Sequence, residues 1–137
     1  PRPHGCSRID PQPDCPPWVS ATHRGVEEAT APLLALLGEL GVPATWFCTG
    51  DVAARYPDAV RAIVRAGHEL GCHGHTHRRF DAMSLAEADD ELRAASAELR
   101  RHAPVTSFRA PNLALPDACL PLLERHGYAL DSSHGRY

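Results

Sequence analysis

Residues 67–79 read Gly-His-Glu-Leu-Gly-Cys-His-Gly-His-Thr-His-Arg-Arg, a short apolar run that leads directly into a dense group of histidines. His73, His75 and His77 alternate, so an extended backbone would place all three on one face, and a helical turn would bring His73 and His77 together. Either geometry delivers two imidazoles to one ion, and neutral imidazole is the commonest protein metal ligand. We therefore expect this histidine group to bind a divalent metal, with zinc favoured.

Two other interpretations of this stretch were weighed. The first is a solvated loop rich in histidine and arginine that holds no ion. The second is the zinc-protease helix motif His-Glu-x-x-His, which His68 and Glu69 begin. The residue that would complete that motif is Cys72, and Gly71 stands where the helix would have to continue. The protease interpretation is therefore excluded, and the solvated loop stays open.

Outward from this stretch, strand-like and helical segments alternate along the chain. The predicted strands are 18–21, 44–48, 68–72, 105–109 and 128–130, and the predicted helices are 26–40, 52–66, 84–101 and 116–126. Such alternation predicts an α/β fold with a parallel sheet, whose ligand sites lie at the carboxyl ends of the strands. The polar loops that follow those ends are 49–51, 73–79, 109–112 and 131–134.

Apolar residues at helical spacing predict the buried faces. In the first three helices these are Leu33, Leu36, Leu37 and Leu40; Val52, Tyr56, Val60, Ile63 and Val64; and Leu85, Ala88, Leu92, Ala95 and Leu99. Ser84 and Glu87 have the spacing of a capping box at the start of the third helix.

Composition narrows the possible partners and the compartment. The 137-residue chain has a net charge of -3 without a basic stripe, which argues against nucleic acid as a partner. It has neither an apolar run long enough for a membrane span nor the layout of a secretory signal, so the sequence as given predicts a cytoplasmic location. Its five cysteines are odd in number and form no Cys-x-x-Cys pair, which fits a reducing compartment better than a disulfide framework.

The sequence changes character at Trp18, which separates a proline-rich arm from the predicted folded domain. Residues 1–17 hold six of the thirteen prolines and no apolar period, so we expect a disordered arm there, and one hypothesis is that this arm is not native coding sequence. Residues 18–137 are expected to form the folded domain.

Four stretches, in this order, resemble the polysaccharide deacetylases, also called the NodB-homology domain or carbohydrate esterase family 4. They are 41–47, 67–77, 108–112 and 127–133. The resemblance implies an irregular (β/α) barrel, which the five expected strands would leave incomplete. It also implies metal-dependent removal of N- or O-acyl groups from a carbohydrate substrate.

By this resemblance, His73 and His77 would be the metal ligands, and the side chain of His75 would point away from the metal. Arg109 would be the arginine that orients the catalytic carboxylate. Asp51, Pro111 and Asn112, in loops at the same edge of the sheet, are candidates for substrate contacts. Arg109 and Asp51 each have an ordinary alternative, as a surface arginine and as a cap of the second helix.

The sequence also departs from the family pattern. The family's first aspartate motif falls on Val19-Ser20-Ala21, which holds no carboxylate, and neither the catalytic base nor the general acid is found. The nearest substitute oxygen ligands are Asp14, Glu27, Asp51 and Asp131, for each of which a structural role is favoured. We therefore expect an inactive or nearly inactive chain that self-associates through its open sheet, with a sugar-binding or metal-binding module as the alternative.

Overall fold

Four short parallel strands form the sheet of the computed structural model, which describes residues 24–134. They are β1 (Thr45–Cys48), β2 (Glu69–Cys72), β3 (Ser107–Phe108) and β4 (Leu130–Asp131), and they lie side by side in the order β1-β2-β3-β4. Since all neighbouring strands are parallel, their carboxyl ends meet at one edge of the sheet. The predicted α/β class is confirmed. The predicted strand 18–21 and the arm 1–17 lie outside the described residues.

Within residues 24–134, five α-helices connect and cover these strands. They are α1 (Arg24–Leu40), α2 (Gly50–Arg55), α3 (Pro57–Arg65), α4 (Leu85–Leu99) and α5 (Leu120–Arg125). α2 and α3 lie between β1 and β2, α4 between β2 and β3, and α5 between β3 and β4. Each crossover therefore contains a helix, as parallel pairing requires.

The core lies between the sheet and the helices. Leu70 and Phe108 are 2% and 0% exposed, and Leu92 of α4 is fully buried against them. The ring of Phe108 lies between those of Phe80 and Tyr128, with centroids 5.3 and 5.7 Å away. These aromatic contacts tie the loop after β2 and the segment before β4 to the middle of the sheet.

The opposite face of the sheet is polar at its amino end. Glu69 alternates with Leu70 along β2, so its carboxylate projects to the other side. That carboxylate accepts hydrogen bonds from Thr45 Oγ1 at 2.5 Å and from Ser107 Oγ at 2.7 Å. These two bonds lower the pKa of Glu69 and link β1, β2 and β3.

The helix predicted over 52–66 is two helices, and that prediction was wrong. Tyr56 has φ -126° and ψ 55°, which interrupts the helix, and Pro57 begins α3. A proline disfavours the helical conformation of the residue before it but suits the first helical position. At its other end α2 begins at Gly50, where Thr49 Oγ1 caps it by accepting from Val52 N at 3.2 Å.

The predicted inner face of α1 was wrong for three of its four leucines. Leu33, Leu36 and Leu40 are 42%, 50% and 64% exposed, whereas Leu37 is half-buried. The helix packs on α3 through another side, where Leu34 faces Ala62 across a groove. Leucines fill both sides of this helix, so their spacing did not decide which side is buried.

The remaining elements follow the prediction with bounds that differ by a few residues, and β4 begins at the last residue of the predicted strand 128–130. The capping box of Ser84 and Glu87 is present, and α4 buries Ala88, Leu92, Ala95 and Leu99. Leu85, predicted inward, is 51% exposed because it occupies the first position of α4. The predicted helix 116–126 begins with a 3-10 turn at Asp117–Cys119 before α5.

Among residues 24–134, no helix combines the length and the apolar character that a bilayer crossing requires.

Candidate functional site

The histidine loop, residues 73–77, begins where β2 ends. His73 N donates to the carbonyl oxygen of Cys48, the last residue of β1, at 2.9 Å. The loop then turns sharply, because Gly74 has φ +75° and His77 has φ +63°. A positive φ is uncommon for a residue other than glycine and is held only where the surrounding structure fixes it. The loop therefore has a defined shape at the carboxyl edge of the sheet.

The orientation of the His73 ring is set by a backbone group of the next strand. Nδ1 of His73 lies 2.7 Å from the carbonyl oxygen of Arg109. A carbonyl only accepts, so Nδ1 carries the proton and donates, which leaves the lone pair of the neutral ring on Nε2. Metal-binding histidines commonly use this arrangement, in which one ring nitrogen is held by the protein and the other is left for the ion.

His77 lies beside His73. Their ring centroids are 5.0 Å apart, and the rings meet edge to face at 64°. Nδ1 of His77 is buried without a hydrogen-bond partner among the described residues. An orphaned ring nitrogen next to a second imidazole is compatible with a metal-binding pair, because a cation or a donor is what such an atom lacks.

Burial favours the neutral form of both rings. It lowers the pKa of His73, against the raising effect of the Arg109 carbonyl, and it lowers the pKa of His77. For His73 the neighbouring His77 and Arg109 charges act in the same direction as burial. A neutral imidazole is the form that binds a metal, so the electrostatics of the pair suit the predicted role.

His75 turns away from the other two histidines. A methyl group built on Gly50 would lie 2.3 Å from His75 Nδ1 and 3.0 Å from Ala95 Cα. The His75 ring therefore occupies the space beside the start of α2, next to α4. This agrees with the expectation that His75 points elsewhere.

The amino end of α2 supports the loop through its backbone. Gly50 N donates to Gly74 O at 3.0 Å, and Asp51 N donates to His75 O at 3.1 Å. Gly50 is required at this point because any side chain would collide with His75.

A buried carboxylate that the sequence interpretation missed holds the middle of the loop. Glu91 of α4 is 8% exposed, and its Oε1 accepts from His75 N at 2.9 Å, Thr76 N at 2.5 Å and Thr76 Oγ1 at 2.9 Å. A signal was present in the sequence, since Glu91 lies on the same helical face as Ala88 and Ala95. A carboxylate on an apolar face needs partners, and here they are loop donors.

Arg109 follows β3 and lies next to the histidine loop. Its backbone N donates to Cys72 O at 2.9 Å, and its guanidinium stands over the Phe47 ring, 4.5 Å from the centroid. Nε donates to Ser132 Oγ at 2.8 Å. The guanidinium is thus held at the carboxyl edge of the sheet by groups from β1 and from the loop after β4.

The other predicted substrate residues have different surroundings. Pro111 is buried, and its Cγ would lie 3.7 Å from a methyl group on Gly74, so it supports the histidine loop. Asn112 is exposed, with φ +55°. The Asp51 carboxylate accepts from Arg55 Nε at 3.0 Å and belongs to the first turn of α2.

None of the substitute oxygen ligands within the described residues joins the histidine pair. Residues 24–134 contain no group of three or more His, Cys, Asp or Glu side chains placed to hold one metal ion. Asp131 Oδ1 accepts from Ser133 N and Oγ at 3.1 and 2.5 Å, and Glu27 lies in the first turn of α1. Asp51 and Asp131 thus have hydrogen-bond partners within their own segments, and Asp14 lies outside the described residues.

Taken together, the fold and the loops define an α/β protein with a histidine pair and an arginine at the carboxyl edge of a parallel sheet. The chain belongs to the polysaccharide deacetylase family, whose model matches residues 13–130. This agrees with the resemblance of the sequence motifs.

Comparison with known proteins supports the same assignment. The chain is 35% identical over 105 residues to a peptidoglycan deacetylase of Helicobacter pylori. The aligned region covers 74% of this chain and 35% of that protein. A Streptomyces lividans family 4 carbohydrate esterase, solved with acetate, superposes with a TM-score of 0.69 and 28% identity, over 74% of this chain and 54% of that one. A Mycobacterium smegmatis protein assigned to the polysaccharide deacetylases superposes with a TM-score of 0.75 and 31% identity. The superposition covers 80% of this chain and 39% of that one. The chain therefore spans about a third of the H. pylori enzyme.

Proposed function

We propose that this chain supplies the histidine half of the site of a metal-dependent carbohydrate deacetylase, which hydrolyses N- or O-acyl groups on a polysaccharide. The observation that carries the proposal is the meeting of His73, His77 and Arg109 at the carboxyl edge of the sheet, with the His73 ring fixed by the Arg109 carbonyl. The family match and the deacetylase relatives supply the substrate class.

The residues present fit two ligands of a divalent ion, for which zinc is our choice. His73 has Nε2 free, and His77 has a buried ring nitrogen without a partner. When bound, such an ion polarises an acyl carbonyl and lowers the pKa of a water molecule. Two ligands alone bind weakly, because even the loss of an outer partner typically reduces metal affinity about 10–100-fold.

Around the histidine pair, other residues of this chain orient bound groups or support the histidine loop. Arg109 places a fixed positive charge beside the histidines, where a carboxylate or a developing negative charge would be stabilised. The exposed Asn112 presents an amide that can donate to or accept from a sugar hydroxyl. Pro111 and Asp51 contribute indirectly, because Pro111 packs under the loop and Asp51 N, in the first turn of α2, donates to His75 O.

A second candidate function is a sugar-binding or metal-binding module without turnover. It is favoured by one observation, that no carboxylate of the described residues lies with the histidine pair. General base and general acid groups each contribute about 10²–10⁴-fold in rate, so a site without them turns over little. We expect this chain by itself to show no appreciable deacetylation.

Zinc titration calorimetry tests the metal part of the proposal. The wild type should take up zinc, and a His73→Ala, His77→Ala double variant should not. His102→Ala is the matched control, because His102 follows α4 and precedes β3, at the opposite end of the sheet. Equal zinc uptake by the wild type and the double variant would contradict the proposal.

Acetate release from an acetylated chitooligosaccharide separates the two candidate functions. Sugar binding without acetate release supports the module. Zinc-dependent release that His77→Ala abolishes would show that this chain alone is an active deacetylase, against our expectation.

A further inference from the structure

The side chain of Glu91 leaves α4 and ends inside the histidine loop, and we propose that Glu91 is a positioning residue for the His73 and His77 pair. The inference rests on the proposed function of that pair as metal ligands. It concerns a residue that binds no metal and whose effect is transmitted through the backbone of the loop.

The contacts of Glu91 converge on two consecutive residues between the ligands. Oε1 accepts from His75 N, Thr76 N and Thr76 Oγ1, and Oε2 accepts from Thr76 Oγ1 at 3.1 Å. The carboxylate is 8% exposed, so little of its charge is satisfied by solvent. Hydrogen bonds to a charged acceptor are stronger than neutral ones, and a buried carboxylate that lost them would be destabilised.

The position of these contacts explains their effect on the pair. His73 is anchored at the end of β2, by Cys48 O and by Arg109 O. The chain must then reverse through Gly74 and reach His77 at φ +63°. Glu91 fixes the two amides inside that span, so it sets where His77 lies relative to His73.

The shape of the loop around Glu91 is equally restricted. A methyl group on Gly74 would lie 3.5 Å from Glu91 Oε1 and 3.5 Å from the Phe80 ring. The carboxylate is therefore packed under the turn as well as hydrogen-bonded to it.

Three variants separate positioning from ordinary stability. Glu91→Ala removes every acceptor, and Glu91→Gln keeps a carbonyl acceptor without the charge. Glu98→Gln is the matched control, since Glu98 lies on the same helix and its carboxylate pairs with Arg101. Thr76→Val removes only the hydroxyl donor of an exposed residue, and it serves if Glu91→Ala does not fold.

The first readout needs no metal. Long-range ¹H–¹⁵N spectra of the metal-free protein report which nitrogen of His73 carries the proton, and hydrogen exchange reports the amides of His75 and Thr76. In the wild type we expect a fixed Nδ1–H tautomer and slow exchange at both amides. Glu91→Ala should keep the His73 tautomer, which the Arg109 carbonyl fixes, but should shift the His77 ring resonances and give fast exchange at both amides while circular dichroism and the thermal transition remain folded. Glu91→Gln should restore part of both changes.

The second readout is zinc affinity by titration calorimetry. Glu91→Ala should bind about 10–100-fold more weakly than the wild type, the range expected for an outer partner of a metal ligand. Glu91→Gln and Thr76→Val should show smaller losses, and Glu98→Gln none.

The outcomes distinguish this inference from the proposed function. If the wild type takes up no zinc, the proposed function fails, and the comparison of the His77 resonances and of amide exchange alone still decides the role of Glu91. If a folded Glu91→Ala protein keeps the His77 ring resonances, the slow amides and the zinc affinity of the wild type, the inference is overturned. If Glu91→Ala does not fold, Thr76→Val decides, and wild-type behaviour in both readouts overturns the inference.

Discussion

His73 and Arg109 are joined across two strands, because the imidazole Nδ1 of His73 donates to the backbone carbonyl of Arg109 at 2.7 Å. The two residues follow β2 and β3, which pair through Cys72 and Phe108. The bond therefore depends on the strand register, and a shift of one residue would turn either side chain to the opposite face. It couples the two motifs of this chain that are most characteristic of the family.

We expect Ser133 to stabilise the same carboxyl edge of the sheet. Its Oγ, in a residue only 2% exposed, accepts from Ala110 N at 2.8 Å and donates to Asp131 Oδ1 at 2.5 Å. Ser133→Ala would leave the Ala110 amide without its acceptor, and we expect a loss of about 1–3 kcal/mol in unfolding free energy. Urea denaturation measures it. Ser132→Ala, which removes only a bond to the exposed Arg109 guanidinium, is the control and should lose less.

Two glycine-to-alanine substitutions should change the stability of the protein in opposite directions. Gly50→Ala would place a methyl group 2.3 Å from His75 Nδ1, and such overpacking costs about 1–3 kcal/mol. Gly38→Ala in α1 meets nothing within 4 Å and should stabilise the protein by roughly 0.5–1 kcal/mol. Thermal unfolding of both variants checks this, and equal effects would show that the His75 contact is not restrictive.

The contact between α4 and α5 should depend on pH. Asp89 accepts from His126 Nε2 and from Arg125, each at 2.7 Å, and these partners lower the pKa of Asp89. A carboxyl with a depressed folded-state pKa stabilises the protein above its unfolded pKa of about 3.9, and this contribution is lost as the pH falls through the folded value. We expect the thermal midpoint of the wild type to fall more steeply below about pH 4 than that of Asp89→Asn.

Asp90→Asn is the control for this pH effect. Asp90 pairs with Arg93 on its own helix and joins no second element. Its pH profile should follow the wild type. Parallel profiles for Asp89→Asn and the wild type would contradict the role of the contact between the helices.

Self-association is expected through the exposed leucines of α1. Leu36 and Leu40 are 50% and 64% exposed, and apolar patches of this kind favour association in water. A Leu36→Glu, Leu40→Glu double variant should scatter less light than the wild type at equal concentration. Leu85→Glu, which changes an isolated leucine that is 51% exposed, should not. A monomeric wild type at all concentrations would contradict this prediction.

The sequence by itself determined the class of the fold and the place of the candidate site. The parallel α/β order followed from segments whose apolar residues recur alternately with helical and strand periods. Such periods indicate the element type, because an element that buries one face repeats its apolar residues at its own period. The spacing of His73 and His77, and their position just after a strand, placed the pair at the carboxyl edge. The capping box at Ser84 is also local, since its two partners are three residues apart.

Only the tertiary structure decided which groups meet across the elements. The leucines of α1 occupy both sides of the helix, so the buried side depends on where α3 lies. The partners of His73 and Glu91 are separated from them by 36 residues and by 15 or 16 residues, and no local pattern encodes such contacts. Whether a carboxylate on an apolar helical face is a defect or a support for a loop depends on the donors that the fold brings to it, because a buried charge is stable only where the folded chain provides hydrogen bonds.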